Sequence, residues 1–433
     1  MMSSKFSKLS RRQMIQLAAA GIAAPTTLAL TGCSTTGRKG AGEVVVIGGG
    51  FGGAAAAKYL KRYNPELNVT LIEPQKEYIT CPGSNWVIGG FHEMKQITHN
   101  YNASRRNGVN VVHEFVDSVD PAKQTIKLAS GKTLSYDRLV MSPGIDFKWD
   151  VHEGVDSNTE KHLPHAYKAG DQTLLLRDQL QSMKQGGTFA MVAPPNPFRC
   201  PPGPYERVGT VAHYLKQNNP TAKILILDQK NAFSKQGLFQ EGWRNHYGQM
   251  IEWVASQDGG KVHSLDVKNK TINADYGKVK ADVINYIPPQ KAGKLAFATG
   301  LTNESGYCPV NQQTFESTIH KNIHVIGDAC IAGPMPKSGH SATSQARTCA
   351  ANIVLAMAGR EPISAKNVNT CYSLVTPDYA ISVAAIYDFQ DGKIVSVEGA
   401  GGVSPMGATP DVRKMEAIYT QGWYNSIADE VWG

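Results

Sequence analysis

Cys200 stands in the turn of a βαβ unit, where a nicotinamide-binding chain carries glycines. Thr188-Phe189-Ala190-Met191-Val192-Ala193 reads as a buried strand. A helical stretch from about Tyr205 to Gln217 leads to a second strand, Lys223-Ile224-Leu225-Ile226-Leu227-Asp228, closed by an acid. That is the frame of a dinucleotide site. The turn between them, Pro194-Pro195-Asn196-Pro197-Phe198-Arg199-Cys200-Pro201-Pro202-Gly203-Pro204, has no G-x-G-x-x-G. Proline offers no N–H to a pyrophosphate, and its ring fills the space such a ligand needs. The chemistry expected here is that of a thiol, not of a hydride from NAD(P)H. A cysteine just ahead of a helix start is expected to ionise easily, because the free N–H groups of the first turn favour a thiolate. Glu206, in the first turns of the same helix, is expected to be an anion ready to accept a proton.

A complete fingerprint lies earlier in the chain. The strand Glu43-Val44-Val45-Val46-Ile47 runs into Gly48-Gly49-Gly50-Phe51-Gly52-Gly53 and then into the helix former Ala54-Ala55-Ala56-Ala57-Lys58-Tyr59-Leu60. Gly48 permits the tight turn, Gly50 lets the backbone approach a pyrophosphate, and Gly53 lets helix and strand pack closely. A second strand, Asn68 to Ile72, ends at Glu73, placed to accept hydrogen bonds from a ribose. Far downstream, Ile323-His324-Val325-Ile326-Gly327-Asp328 is a short strand ending in Gly-Asp. This resembles the second flavin motif of two-dinucleotide-fold flavoproteins, in which the Asp binds the ribityl chain. Pro336-Lys337-Ser338-Gly339 then opens a long helix, about Ser338 to Ala358. Its N-terminal partial charge and the Lys337 ammonium are expected beside the flavin N1–C2=O edge. The cofactor expected is FAD, held by Gly48, Gly50, Gly53, Glu73, Gly327, Asp328 and Lys337.

The elements that must position these groups define an α/β fold. It has two Rossmann-like dinucleotide-binding domains in a glutathione-reductase-like arrangement, plus a C-terminal α+β domain. The expected divisions are 43–161 with 301–359 for a discontinuous FAD domain, 162–300 for the second Rossmann-like domain, and 360–433 for the C-terminal domain. The 433 residues suffice for separate cores, and 41% hydrophobic with 18% charged residues is ordinary for a soluble α/β chain. The net charge is +8, of which Lys5, Lys8, Arg11 and Arg12 supply four, leaving +4 beyond Cys33. With no basic runs interleaved with aromatics, nucleic acid is not an expected partner. Ser10-Arg11-Arg12-Gln13-Met14-Ile15 looks like a twin-arginine export signal, followed by an apolar run from Leu17 to Leu30. Leu30-Thr31-Gly32-Cys33 looks like a lipoprotein box, so residues 1–33 read as a signal peptide and 34–42 as a linker. The expected location is the periplasm, with a lipid anchor at Cys33. The seven cysteines, Cys33, Cys81, Cys200, Cys308, Cys330, Cys349 and Cys371, form no C-x-x-C pair. Neither a metal site nor a haem attachment is therefore expected in this chain. Cys308, Cys330 and Cys349 read as packing residues.

Several segments together resemble the flavoprotein subunit of flavocytochrome c sulfide dehydrogenase. They are Tyr78-Ile79-Thr80-Cys81-Pro82-Gly83-Ser84-Asn85, Pro197 to Tyr205, Ile287-Pro288-Pro289-Gln290, Gly327-Asp328-Ala329-Cys330, Met335 to Gly339 and Asn369-Thr370-Cys371-Tyr372. The resemblance runs from about Glu43 to Gly433. It implies covalent FAD at Cys81, a redox-active disulfide of Cys200 with Cys371 over the flavin, and a proton-handling role for Glu206. It also implies sulfide as substrate and a separate c-type cytochrome as electron acceptor. Sulfide is a small nucleophile, and a disulfide sulfur is its natural electrophile. A structural-staple role for the same pair stays open, since chain entropy makes so long a loop closure worth roughly 5 kcal/mol. The alternative enzymes are a sulfide:quinone oxidoreductase and an NAD(P)H-dependent disulfide reductase. Quinone would need an apolar C-terminal surface, and the aromatic stretch Gly422 to Trp432 is short and interrupted by acids. A non-enzymatic flavin-bound scaffold would need inert cysteines.

Overall fold

The computed structural model describes residues 42–433. The twin arginines and Cys33 lie outside the described residues. The apolar run Val44 to Ile47 forms the centre of a five-stranded parallel sheet because both of its faces are covered. Across that sheet the order is Ile323–Val325, Arg138–Met141, Glu43–Ile47, Asn68–Ile72 and Asn110–Val112. The helix Phe51–Tyr63 follows the glycine turn and packs against the helix Gly339–Met357. Both helices are rich in small buried residues: Ala54, Ala55, Ala56 and Ala57 on one, Ala342, Ala346 and Ala350 on the other. Small side chains let the two backbones approach closely. Both flavin motifs are thereby fixed to one rigid layer.

A second parallel sheet carries Cys200. Its order is Ile251–Val254, Lys223–Asp228, Thr188–Ala193 and Val283–Tyr286. The helix after the proline turn runs Gly203–Asn218, with prolines at 202 and 204 around its start. Proline suits a first turn, where its missing N–H has no partner to lose. Short antiparallel meanders, one from each dinucleotide-type region, lie outside these sheets.

The C-terminal part is a three-stranded antiparallel sheet, Asn367–Thr376, Tyr379–Gln390 and Lys393–Val403, followed by the helix Pro410–Trp432. The aromatic stretch expected to be short is the second half of that 23-residue helix. Tyr424, Ile427, Ala428, Val431 and Trp432 are buried in the core of the first sheet, and the Trp432 ring stacks on Tyr78 with centroids 5.0 Å apart. Its first half leaves Val412, Met415, Ile418 and Tyr419 exposed in a row at helical spacing. Among the described residues no helix is long and apolar enough to cross a membrane. Cys308, Cys330 and Cys349 are buried, and burial pushes the first two thiols up to about 12.

Candidate active site

The glycine turn lines a cleft with Glu73, Tyr78, Cys81, Arg199, Asp328 and the start of the Gly339–Met357 helix. Gly48 adopts φ +98, and a Cβ there would lie 2.3 Å from the Ser142 carbonyl oxygen. A Cβ on Gly53 would lie 1.8 Å from the Gly48 carbonyl oxygen, so only glycine lets the helix start on the strand. Glu73 accepts the Gly49 amide at 2.8 Å in the cleft wall. Gly327, at φ +73, donates its amide to Gln345 Oε1 at 2.7 Å and so turns Asp328 inward. Asp328 Oδ1 is buried with no partner, and so are Nε and Nη2 of Arg199, whose Nη1 lies 3.7 Å from Asp328 Oδ2. Buried polar atoms normally find partners. The unfilled donors and acceptor, beside a glycine cradle and a helix N-terminus, fit an anionic dinucleotide bearing hydroxyl groups, as FAD does.

Cys81 lines this cleft and also a second cavity, which it shares with Pro82, Arg199, Ser338 and Gly339 of the first. The remaining wall includes Cys200, Cys371, Glu206, His340, Tyr372 and Trp423. Cys371 lies on the strand Asn367–Thr376, while Cys200 comes from the proline turn. Both are free thiols that line this one cavity and perturb each other's titration, and the Cys371 thiol donates to the Tyr372 carbonyl at 3.7 Å. Cys200 sits at φ +56, an uncommon backbone for a residue with a Cβ. Its amide donates to the Lys337 carbonyl at 2.7 Å. A third chamber, lined by Pro201, Pro202, Pro334, Pro336, Val383 and Ala385, reaches both cysteines from another side.

Two electrostatic expectations are corrected. The Cys200 thiol is pushed up, by the neighbouring Cys371 thiol and by burial; Cys371 is the partner held low, by the Cys200 thiol and by Lys235. The helix N-terminus does not decide the matter, because burial and the neighbouring thiol act more strongly at this range. Glu206 is likewise shifted up, since burial outweighs the hydrogen bonds and charge that oppose it. It accepts Asn85 Nδ2 at 2.8 Å, Trp86 Nε1 at 3.0 Å and the Leu374 amide at 3.1 Å. Lys337 is not in the cleft wall. Its ammonium donates to the carbonyls of Asp328 at 2.8 Å and Cys330 at 2.9 Å and lies over the Tyr307 ring, lining a neighbouring groove. Its ammonium is engaged there, and Arg199 and Lys168 are the cations that line the cleft. Arg199 was legible as a charge set among prolines beside Cys200. Lys235, His340 and Trp423 gave no local signal, because only the fold brings them to the cysteines.

The second dinucleotide position is closed. Asp228 is fully buried and accepts Tyr205 Oη at 2.5 Å, Lys230 Nζ at 2.6 Å and Trp253 Nε1 at 3.0 Å. The Tyr205 ring stacks on Phe233 with centroids 3.6 Å apart. Lys230 also donates to the Pro194 carbonyl at 2.6 Å, tying the proline turn to the acid. The carboxylate that a ribose would need is already saturated by the protein.

Paired parallel sheets, the glycine cleft and a cysteine cavity opening on it define a flavoprotein of the pyridine nucleotide-disulphide oxidoreductase class, whose sequence profile matches residues 42–182. Two narrower profiles match further along: the central region of the sulfide dehydrogenase [flavocytochrome c] flavoprotein chain over residues 173–288, and the flavocytochrome c sulphide dehydrogenase flavin-binding region over 363–432. The chain belongs to the family of flavocytochrome c sulfide dehydrogenase flavoprotein chains. It is 56% identical over 48 residues to the sulfide dehydrogenase flavoprotein chain of Chlorobaculum thiosulfatiphilum, covering 11% of this chain and 100% of that sequence. It is 23% identical over 327 residues to the mitochondrial sulfide:quinone oxidoreductase of Dictyostelium discoideum, covering 72% of this chain and 70% of the other. The crystal structure of the Aquifex aeolicus sulfide:quinone oxidoreductase superposes with a TM-score of 0.71 at 18% identity, over 90% of this chain and 92% of that one, and shares its fold.

Proposed function

We propose that this flavoprotein oxidises sulfide at a redox bridge between Cys200 and Cys371 and passes the electrons to a separate c-type cytochrome. One observation carries the reading. Two cysteines distant in sequence meet in the wall of a cavity that shares five residues with the FAD cleft. Sulfide attack on the bridge breaks the S–S bond and forms a new one. One cysteine becomes a persulfide and the other leaves as a thiolate, so the electron pair of the attacking sulfur has entered the bridge. Glu206, buried and with raised proton affinity, takes the proton released when hydrogen sulfide attacks. Bound FAD supplies an acceptor that takes two electrons together and releases them singly. Cys81, lining both spaces, is the residue proposed to bond the flavin covalently.

The test is anaerobic sulfide addition to the yellow protein. Bleaching is expected in the native chain, and its loss in Cys200→Ser and Cys371→Ser with FAD retained. Bleaching preserved in both variants would sink the bridge mechanism. A quinone acceptor is the second reading, favoured by the sulfide:quinone oxidoreductase relatives and by the exposed row Val412, Met415, Ile418 and Tyr419. Offering cytochrome c, a quinone and NAD⁺ separately to the sulfide-reduced protein decides between them. Export by the twin-arginine route with a lipid on Cys33 is proposed from the N-terminal sequence alone. Release from membranes in Cys33→Ser is the expected result.

A further inference from the structure

Lys235 is a buried lysine with no carboxylate partner among the described residues. It precedes the helix Gln236–Tyr247, sits at φ +60, and is 8% exposed. Its Nζ donates to Ser373 Oγ at 2.9 Å and to the carbonyls of Ile381 at 3.3 Å and Cys371 at 3.4 Å. All three acceptors are neutral and belong to the C-terminal sheet. Among the described residues no carboxylate lies within salt-bridge distance of it. Lys230, a partly buried lysine that follows the neighbouring strand, does have one, Asp228. Burying a charge is costly unless an opposite charge accompanies it. Burial lowers the proton affinity of Lys235, and Cys371, Glu206, Cys200 and Glu416 oppose that, so its charge is best matched when a nearby sulfur becomes anionic.

The charged and titratable groups around it come from every packed element. They are Cys371 on the strand, Cys200 in the proline turn, Glu206 on the next helix and Glu416 on the C-terminal helix. His340 and Arg199 face the same thiols across the cavity. Glu206 is held by Asn85, Trp86 and the Leu374 amide, and Glu416 by Arg413 and Ser404. The two cysteines are the groups whose charge changes when the bridge opens.

We infer that Lys235 is a positioning residue whose ammonium holds the sulfur of Cys371 as an anion once the Cys200–Cys371 bridge is opened. The inference rests on the redox reading of that pair and adds a group outside the cavity wall. Bridge opening creates one anionic sulfur from a neutral disulfide, and Lys235 supplies the matching charge from behind the strand. The lowered Cys371 thiol and the raised Cys200 thiol agree with this polarity.

The test needs no turnover. Protein reduced with dithiothreitol and freed of it is alkylated with iodoacetamide across a pH series, and the modification of Cys371 is read by peptide mass spectrometry. Lys235→Met is expected to move the Cys371 midpoint upward by about one pH unit or more, or roughly tenfold slower labelling below the midpoint. Lys235→Arg keeps the charge and is expected to keep the midpoint. Retained yellow colour and an unchanged melting profile show that each variant is folded. Should Lys235→Met fail to fold, the arginine variant alone decides: a native midpoint supports the inference, and a shift as large as one pH unit overturns it. A folded methionine variant with the native Cys371 profile overturns it too. Sulfide bleaching of the native chain is followed in parallel. Failure there removes the sulfide reading, while the alkylation profile still reports on Lys235.

Discussion

Glu206→Gln probes the thiol cavity where its hydrogen bonding is tightest. One carboxylate oxygen takes Asn85 Nδ2 at 2.8 Å; the other takes Trp86 Nε1 at 3.0 Å and the Leu374 amide at 3.1 Å. A glutamine can serve the second pair only by turning its NH₂ toward Asn85. Asn85 cannot flip to meet it, because its Oδ1 holds Arg207 Nε at 3.0 Å and its Nδ2 also reaches the Gly203 carbonyl at 3.1 Å. Two donors then face each other in a buried place, a loss of about 1–3 kcal/mol. The pH dependence separates this from a simple packing fault. Burial raises the proton affinity of Glu206 in the folded chain. A raised carboxyl contributes stability that is fully present below its unfolded value and is lost as pH rises through the folded value. Glutamine has no such contribution. The native chain should therefore exceed the variant most in mildly acid solution, with the gap narrowing toward neutral pH. Guanidinium unfolding followed by tryptophan fluorescence, from about pH 4 to about pH 8, measures it. Equal stability throughout, or a gap that grows with pH, would refute the reasoning. If Glu206 also takes the substrate proton, sulfide bleaching slows about tenfold or more in the same variant.

Other outcomes follow from the same geometry. Gly53→Ala should lose FAD and about 1–3 kcal/mol or more of stability, since its Cβ would meet the Gly48 carbonyl oxygen at 1.8 Å; flavin content and thermal melting check both. Cys81→Ala should leave the protein yellow when native but colourless after acid denaturation, where the native chain keeps its flavin mass in the mass spectrometer. NADH and NADPH should fail to bleach the flavin even at millimolar concentration, and Tyr205→Ala alone should not restore the reaction, because Lys230 and Trp253 still occupy Asp228. Ala385→Leu, which narrows the chamber reaching the cysteines, should slow bleaching by sulfide more than by dithionite if sulfide arrives that way; the two stopped-flow rates decide.

The sequence by itself determined the local frame. Val44 to Ile47, the glycines through Gly53 and the acid at 73 prescribe a strand, a turn and a helix, because one β-strand needs an apolar run and one tight turn needs residues without a Cβ. It also marked Cys200 and the missing N–H donors of the proline turn, since those are properties of residue type. Pairing Cys200 with Cys371 came from family resemblance and not from any pattern in the chain. Their contact exists only because the proline turn meets the C-terminal sheet. The polarity of that pair and the proton affinity of Glu206 were misjudged from the helix alone. A helix terminus is local, whereas desolvation is set by everything packed around the group. Lys337 turned to the carbonyls of Asp328 and Cys330, and Lys235 reached Cys371 from another domain. Where a long side chain ends depends on which acceptors the fold offers it, and no spacing along the chain encodes that.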